Sequence, residues 1–317
     1  MEFDLIHRYF HQLGTTHDNI LCGVGDDCAL LKTDKTLAIS TDTLNCGVHF
    51  LENDPPELLG WKSLAVNVSD LAASGAKPLA ALLALSLPQI DEKWLSLFQQ
   101  GFDSCAKHYN IALIGGDTTR GALSINITIL GETKKPLLRC AAQANDDIWL
   151  SHETGWASIG LDLKCNGQSP AHLLPQTLQQ KAFWALHKPI AHVELALQLS
   201  HLANSAIDVS DGLIGDLTHL SKQSHLSAHL FLEKFPKTLM NALPCHFSYC
   251  LNKMFAGGED YVLLFSASPL HRQKIEQLNA WRIGVFQQKE NNEDVFLWNE
   301  KKENLLNQFD FKGFEHF

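Results

Sequence analysis

Apolar and polar residues alternate along this chain with two different periods, and the switches between them mark the elements. Phe3, Ile6, Phe10 and Leu13 recur at helical spacing and predict an opening helix. Gly23-Val24-Gly25-Asp26-Asp27 follows as a tight acidic turn. Residues 37–40 read as a strand that ends in Thr41-Asp42-Thr43. Pro55 and Pro56 open a helix that runs through Trp61 and Val68 to about Ala73, and Gly75 stops it. The apolar run 79–87 has strand length and closes at Pro88, and 91–108 carries an amphipathic helical pattern. Residues 111–114 read as a short buried strand. The flexible loop Gly115-Gly116-Asp117-Thr118-Thr119-Arg120-Gly121 comes next, and 123–130 then alternate like a strand with one open face.

Between residues 134 and 147 the chain turns polar, which places a domain boundary there and divides the chain into 1–138 and 139–317. The second half predicts a strand at 148–150, helices near 175–186 and 192–202, a strand at 206–209 and a helix from Gly212 onward. Gly257-Gly258-Glu259-Asp260 leads into a strand at 261–265. Strands alternate with helices in both halves, so the class is α/β or α+β.

A length of 317 residues gives room for two ordinary domains. With 45% hydrophobic and 19% charged residues the composition is globular, not disordered. A net charge of -10 argues against a nucleic-acid partner. It leaves a phosphorylated ligand open, because bound metal ions reverse the local sign. No apolar run approaches the roughly 18 residues that a membrane span needs. Met1-Glu2-Phe3-Asp4 lacks a signal-peptide pattern, so a cytoplasmic enzyme without membrane attachment is expected. None of the 8 cysteines forms a C-x-x-C pair, and Cys245 and Cys250 have no second pair to complete a zinc site. Reduced, mostly buried thiols are expected.

The candidate chemistry lies in the placement of aspartates. Asp26, Asp27, Asp42, Asp70, Asp117, Asp208 and Asp211 each sit at the end of an apolar stretch or in a glycine-containing turn, several beside Ser or Thr. Open α/β sheets hold ligands at strand ends. Carboxylates with hydroxyl neighbours suit magnesium, which takes oxygen ligands and shares them with phosphate and water, and they suit zinc poorly. Any one of these residues alone is an ordinary turn former. Ser210-Asp211-Gly212 suits capping of the helix it opens, the commoner role for such a turn taken alone, and also phosphate binding at that helix start. On pattern alone, both the metal–phosphate reading and the turn reading stay open. The P-loop, the H-R-D kinase loop, the G-x-S-x-G elbow and the G-x-G-x-x-G fingerprint are all missing. His7 and His11, four apart but off the apolar face, read as a solvated pair.

Taken together in order, the motifs Gly23–Leu31, Ser40-Thr41-Asp42-Thr43-Leu44, Ala65–Ala76, Ile114–Gly121, Ile207-Asp208-Val209-Ser210-Asp211-Gly212-Leu213 and Gly257-Gly258-Glu259-Asp260-Tyr261 closely resemble the thiamine-monophosphate kinase family over essentially the whole chain. The resemblance implies the two-domain fold shared with aminoimidazole-ribonucleotide synthetase. In that fold an N-terminal α/β domain pairs into a homodimer and a C-terminal α+β domain completes the site. It also implies the reaction: ATP and thiamine phosphate give ADP and thiamine diphosphate, the last step in making that cofactor. Carried over by position, Asp27, Ser40, Thr41, Asp42, Asp70, Asp117, Asp208 and Asp211 resemble the shell of several magnesium ions, with Asp42, Asp70, Asp208 and Asp211 at the chemistry. Tyr109, Gly116, Asp117, Arg139 and Ser210 resemble the ATP contacts, and His49, Glu259 and Phe314 the thiamine-phosphate pocket. The chain departs from the family pattern at Asn145-Asp146-Asp147, where a Gly-Asp turn is usual, and at 151–160, where a longer glycine-rich loop is usual and Trp156 stands instead. It also lacks the arginine expected near His187-Lys188-Pro189. The competing readings are another ATP-dependent enzyme of the same superfamily, such as a purine-synthesis ligase or selenophosphate synthetase, and a nucleotide-binding relative without catalysis.

Overall fold

A computed structural model describes residues 8–10, 13–22, 29–289, 293–309 and 311. The helix expected over 3–13 lies largely outside the described residues, and the turn at 23–27, His7, His11, Asp26, Asp27 and Phe314 lie wholly outside them. The chain divides into two compact units, residues 1–72 with 76–134, and residues 73–75 with 135–317.

The first unit runs β1 (Ile20–Cys22), β2 (Leu30–Leu31), β3 (Thr36–Asn45), α1 (Pro56–Ala73), β4 (Lys77–Leu87), α2 (Glu92–Tyr109), β5 (Ala112–Arg120) and β6 (Ser124–Thr133). Its main sheet has four strands in the order β3-β6-β4-β5, antiparallel except for the β4–β5 pair. A parallel pair needs a long crossover, and α2 supplies it. Asp91 starts α2 by accepting the backbone N–H groups of Lys93 and Trp94, and Asn110 ends it at φ 57°. Along β6, Ile125, Ile127 and Ile129 alternate into the core. Gly131 follows them, where a Cβ would stand 2.9 Å from a Leu71 methyl of α1. Two bare backbones bring α1 and α2 together, since a Cβ on Gly60 would meet the Phe98 carbonyl at 2.1 Å and one on Gly101 the Glu57 carbonyl at 1.7 Å.

Two expectations change here. β3 continues to Asn45, so Thr41-Asp42-Thr43 lie within the strand and not at its end. The stretch from Gly115 to Arg120, read as a flexible loop, is the second half of β5 and stays paired with β4 to the Leu87–Arg120 register.

The second unit contains β7 (Asp147–Leu150), α3 (Trp156–Cys165), α4 (Gln176–His187), α5 (Val193–Leu199), β8 (Ala203–Val209), α6 (Leu213–Ser224) and β9 (Leu226–Phe231). It continues with α7 (Thr238–Ala242), α8 (Phe247–Ala256), β10 (Val262–Ala267), α9 (Arg272–Glu276), β11 (Trp281–Gln288) and β12 (Val295–Trp298). Its six strands stand in the order β12-β9-β11-β7-β10-β8, antiparallel except for β12–β9. Helices and a mixed sheet share one core, in which Ile148, Leu150, Ile207, Leu213, Leu217, Phe255 and Leu264 are buried. At one end of β7, β8 and β10 the core is polar. Asp146 accepts from Ser266 Oγ at 2.9 Å, from the Gln143 N–H at 2.9 Å and from Asn204 Nδ2 at 2.9 and 3.0 Å, while Ser205 Oγ donates to Ser266 Oγ at 2.9 Å. Asp147 beside it is gripped by Arg272 through Nε at 2.5 Å and Nη2 at 2.8 Å.

In the segment 151–160, where the family pattern has a longer glycine-rich loop, Trp156 begins α3 at 2% exposure. Its Nε1 donates to Glu153 at 2.8 Å, and the Lys181 ammonium lies 4.2 Å over the ring. Nor are the thiols mostly buried. Among the described cysteines Cys105 and Cys250 are buried, whereas Cys140, Cys165 and Cys245 are exposed. Cys140 sits in a short 3-10 turn without buried residues, and Cys165 is the last residue of α3, so neither faces the core.

Candidate active site

In the first unit, Ser40 and Asp42 are two apart on β3 and share one face of the sheet. α1 presents Asn67 and Asp70, three apart on one helical face, to that same side. Ser40 Oγ donates to Asp70 Oδ2 at 2.5 Å, and Asn67 Oδ1 accepts the Asp42 N–H at 3.1 Å. Asn67 is fully buried and is itself fixed by its Nδ2 bond to the Ser63 carbonyl at 3.0 Å. The carboxylates of Asp42 and Asp70 are thus set by a strand and a helix, not by a turn. Thr41 alternates to the other face, where its hydroxyl donates to the Ile127 carbonyl at 3.0 Å and accepts from Thr128 Oγ1 at 3.1 Å. Its side chain is not brought to Ser40 and Asp42.

Gly116 and Asp117 stand at the same height of the sheet. Asp42 pairs with Ile127, Ile127 with Leu83, and Leu83 with Gly116. Gly116 has φ +151°, and a Cβ there would lie 1.8 Å from the Leu83 carbonyl, so only glycine fits. Asp117 is exposed and accepts the Thr118 N–H at 2.9 Å. Tyr109 is instead the last residue of α2, three residues before the start of β5, whereas Gly116 and Asp117 lie in that strand's second half. There its ring meets His108 edge-on at 4.6 Å and tilts on Trp61 at 6.3 Å. His49 lies in the turn after β3, where its Nδ1 accepts the Asn45 N–H at 3.0 Å, which leaves the proton of a neutral ring on Nε2.

In the second unit, buried Asp208 is the penultimate residue of β8, paired with Leu263 of β10. Ser210 and Asp211 follow in the turn before α6. Neither caps that helix; the N-cap is Gly212, with no side-chain cap bond. Asp216 of the first helical turn reaches back instead and accepts the N–H groups of Ser210 at 3.0 Å and Asp211 at 3.2 Å. Burial first, and the Asp211 charge second, push Asp216 up to about 7, while the turn's N–H groups and the Arg139 charge oppose the rise. Arg139 is therefore within electrostatic reach of this turn. Its carbonyl accepts from Ser224 Oγ at 2.8 Å at the end of α6.

The turn 257–261 interlocks with this one. The Glu259 N–H donates to the Ser210 carbonyl at 2.7 Å, and the Tyr261 N–H to the Val209 carbonyl at 2.8 Å. The approach requires bare backbone, because a Cβ on Gly258 would stand 2.6 Å from the Ser210 carbonyl and one on Gly212 2.8 Å from the Ala256 carbonyl. Glu259 is thereby held beside Ser210. Burial lowers the pKa of Lys164 of α3, and the charge of Glu259, near enough to be felt, opposes that lowering in part. Asp216 and Lys164 were not among the residues that the sequence pointed to, and Asp260 entered only as part of the 257–261 motif. Asp216 looked like an ordinary first-turn acid, and its role depends on a backward reach of five and six residues that has no composition signal.

Among the described residues, no group of three or more His, Cys, Asp or Glu closes into a ready-made metal cage. In the first unit Ser40 is bonded to Asp70 and shares its face of β3 with Asp42, and in the second Asp208 lies near the end of β8 with Asp211 in the turn that follows. Taken unit by unit, these hard oxygens are of the kind magnesium takes, one or two carboxylates with the shell completed by phosphate and water.

The family model for the AIR synthase related protein, N-terminal domain, matches residues 25–133. The thiamine-monophosphate kinase of Haemophilus influenzae is 41% identical over 281 residues, covering 87% of this chain and 84% of that protein. The solved thiamine-monophosphate kinase from Stenotrophomonas maltophilia K279a superposes with a TM-score of 0.80 at 36% identity, covering 93% of this chain and 94% of that one. AaThiL complexed with AMPPCP and TMP superposes at 0.76 with 29% identity, over 99% and 96% of the two chains. At this identity and coverage, the chain belongs to the thiamine-monophosphate kinase family.

Proposed function

We propose that this chain transfers the γ-phosphoryl group of ATP to thiamine phosphate, giving ADP and thiamine diphosphate. The bond between the γ-phosphorus and the β,γ-bridging oxygen breaks, and a bond to a phosphate oxygen of thiamine phosphate forms. That nucleophile is already mostly ionised at neutral pH, because a phosphate monoester's second pKa is about 6. No side chain is needed as general base, and no phospho-enzyme forms. Catalysis rests on in-line alignment and on stabilising charge spread over the transferring group. Magnesium, when bound, neutralises charge on the phosphate oxygens. Asp42 and Asp70 with Ser40, and Asp208 and Asp211, would hold it, joined by Asp27 and Asp117. Gly116, Asp117, Arg139, Ser210 and Tyr109 take the nucleotide. His49, Glu259 and Phe314 take thiamine phosphate.

The observation that best supports this assignment is the 2.7 Å bond from the Glu259 N–H to the Ser210 carbonyl, which holds the residue proposed for the acceptor pocket beside the turn proposed for the nucleotide. The competing reading, a non-catalytic relative, rests on the altered segment 151–160, and turnover tests it directly. The test is formation of thiamine diphosphate from thiamine phosphate, ATP and magnesium, with free thiamine in parallel. Product from thiamine phosphate alone is expected; ATP binding without product would reject the activity.

A homodimer belongs to the same proposal. The face of β3 opposite Ser40 and Asp42 leaves Ile39 61% exposed beside Thr41, Thr43 and Asn45. Sedimentation should read twice the 35.3 kDa chain mass, and Ile39→Asp should give monomers; an unchanged dimer in that variant would move the interface elsewhere. A cytoplasmic address accords with the free cysteines, and no described helix is long and apolar enough to cross a membrane.

A further inference from the structure

The loop that carries Glu259 is strained on both sides of Asp260. Glu259 has φ +67° and Tyr261 φ +50°, left-handed conformations that side chains with a Cβ rarely hold. Such a pair persists only where the surroundings over-determine it. The residue between them provides a large part of that hold. Asp260 Oδ2 accepts the Gly155 N–H at 2.5 Å, and Oδ1 accepts the Ala157 N–H at 3.2 Å. These N–H groups are the open start of α3, whose N-cap Gly155 sits at φ +93° with no side-chain cap of its own. The helix therefore takes its cap from a residue about a hundred positions later, and the loop takes its anchor from the helix. The carboxylate also meets the positive end of the α3 dipole.

Two further contacts restrict the loop to this place. A Cβ on Gly257 would meet Ser158 Oγ of α3 at 2.5 Å, and one on Gly155 would meet the Lys253 carbonyl of α8 at 2.7 Å. The N–H groups of Glu259 and Tyr261 are used on the other side, by the Ser210 and Val209 carbonyls. The loop is thus pinned between the end of β8 and the start of α3, and Asp260 makes the pin on the α3 side.

We propose that Asp260 is a positioning residue: by docking its carboxylate on the N terminus of α3 it holds the 257–261 loop in the left-handed conformation that presents Glu259 to thiamine phosphate. The proposal rests on the assignment of Glu259 to the acceptor pocket. Nothing in the Asp260 role requires contact with substrate.

The test uses the full chain with Asp260→Ala, which removes both acceptors, Asp260→Asn, which keeps one, and Glu259→Gln as reference. Amide hydrogen exchange reads the loop without substrate. The Glu259 and Tyr261 amides should exchange about tenfold faster or more in Asp260→Ala. In kinetics, Asp260→Ala should raise the KM for thiamine phosphate about tenfold while the ATP KM stays within about twofold, and Asp260→Asn should recover part of the loss. If the Ala variant does not fold, the Asn variant carries both readouts, with a KM increase of about threefold expected. Unchanged exchange overturns the proposal. So does faster exchange with an unmoved thiamine-phosphate KM when Glu259→Gln moves it, and so does an equal rise in both KM values, which marks a general loss of structure. An unmoved KM in Glu259→Gln instead strikes the assignment of Glu259, and faster exchange in the Asp260 variants then still upholds the anchor on the loop.

Discussion

Replacing Gly116 by alanine puts one methyl group where the β4 backbone already stands. The new Cβ would lie 1.8 Å from the Leu83 carbonyl oxygen, 2.6 Å from its carbon and 2.9 Å from the Leu83 nitrogen. No rotamer relieves this, since every near atom is backbone, so β5 must move away from β4. The φ of +151° adds strain for any residue with a Cβ, about 1–3 kcal/mol. Separating the strands locally costs one or two ladder bonds at about 0.5–1.5 kcal/mol each. The sum is about 1.5–6 kcal/mol, which at about 2–4 °C per kcal/mol lowers the unfolding midpoint by roughly 10 °C at its middle. Asp117 moves with the strand, so nucleotide affinity should fall as well. Circular dichroism melting with calorimetric titration of an ATP analogue measures both. Gly215→Ala is the control: it lies in α6 with nothing within 4 Å of the added methyl, and should stabilise by about 0.5–1 kcal/mol. A Gly116→Ala midpoint within about 2 °C of the natural chain, with nucleotide affinity intact, would refute the close-approach argument.

Other substitutions separate the roles assigned above. Asp42→Ala and Asp70→Ala should abolish thiamine diphosphate formation and leave the circular dichroism spectrum unchanged; loss of the spectrum would make those carboxylates structural. His49→Ala and Glu259→Ala should raise the thiamine-phosphate KM more than the ATP KM, and the reverse ratio would reject the pocket assignment. His192 gives a pH signature of stability. Burial first, and the His152 charge second, depress it from 6.5 to about 4. The unfolded chain therefore takes up this proton first as pH falls, and stability present above about 6.5 is lost progressively toward pH 4. At about 1.4 kcal/mol per pKa unit the loss is at most about 3.5 kcal/mol. Buried Asp216 and Asp260, both pushed up to about 7, tilt the curve the opposite way, so the readout is the difference between the natural chain and His192→Asn. Parallel curves for the two proteins over that range would show that His192 does not titrate as described.

The sequence made the fold class legible because its periods are clean. Helix α2 announces itself through the Asp91 cap and an amphipathic face, and β6 through strict alternation. It misled where a local signal was overruled by a distant partner. Gly115 and Gly116 look like a loop, yet the Gly116 backbone fits against Leu83, and the strand continues because glycine is there. The start of α3 was hidden because Gly155 offers no cap and the true cap, Asp260, is remote in sequence. Thr41 was grouped with its neighbours Ser40 and Asp42, but strand alternation sends its hydroxyl to the other face. Within the candidate site, residues placed by motif order, such as Ser210 and Glu259, do meet in one unit. Those placed by reach, such as Asp216, were invisible, because nothing in a linear pattern says which backbone a carboxylate will turn back to.

The polar knot around Asp146 has a consequence for how the second unit finds its native pairing. β10 is buried at all six positions and β7 at all four, so apolar alternation cannot tell one alignment from its neighbour. A one-residue slip would cost the sheet little greasy surface but would move the Gly258-Glu259 end of β10 by about 3.3 Å relative to Ser210. The bonds from Ser266 and Asn204 to Asp146 exist in one alignment only. They work as an index mark at the far end of the strands, fixing by distance what happens at the near end. Erasing that mark would leave each correctly assembled molecule with its full turnover and reduce the fraction of chains that assemble correctly.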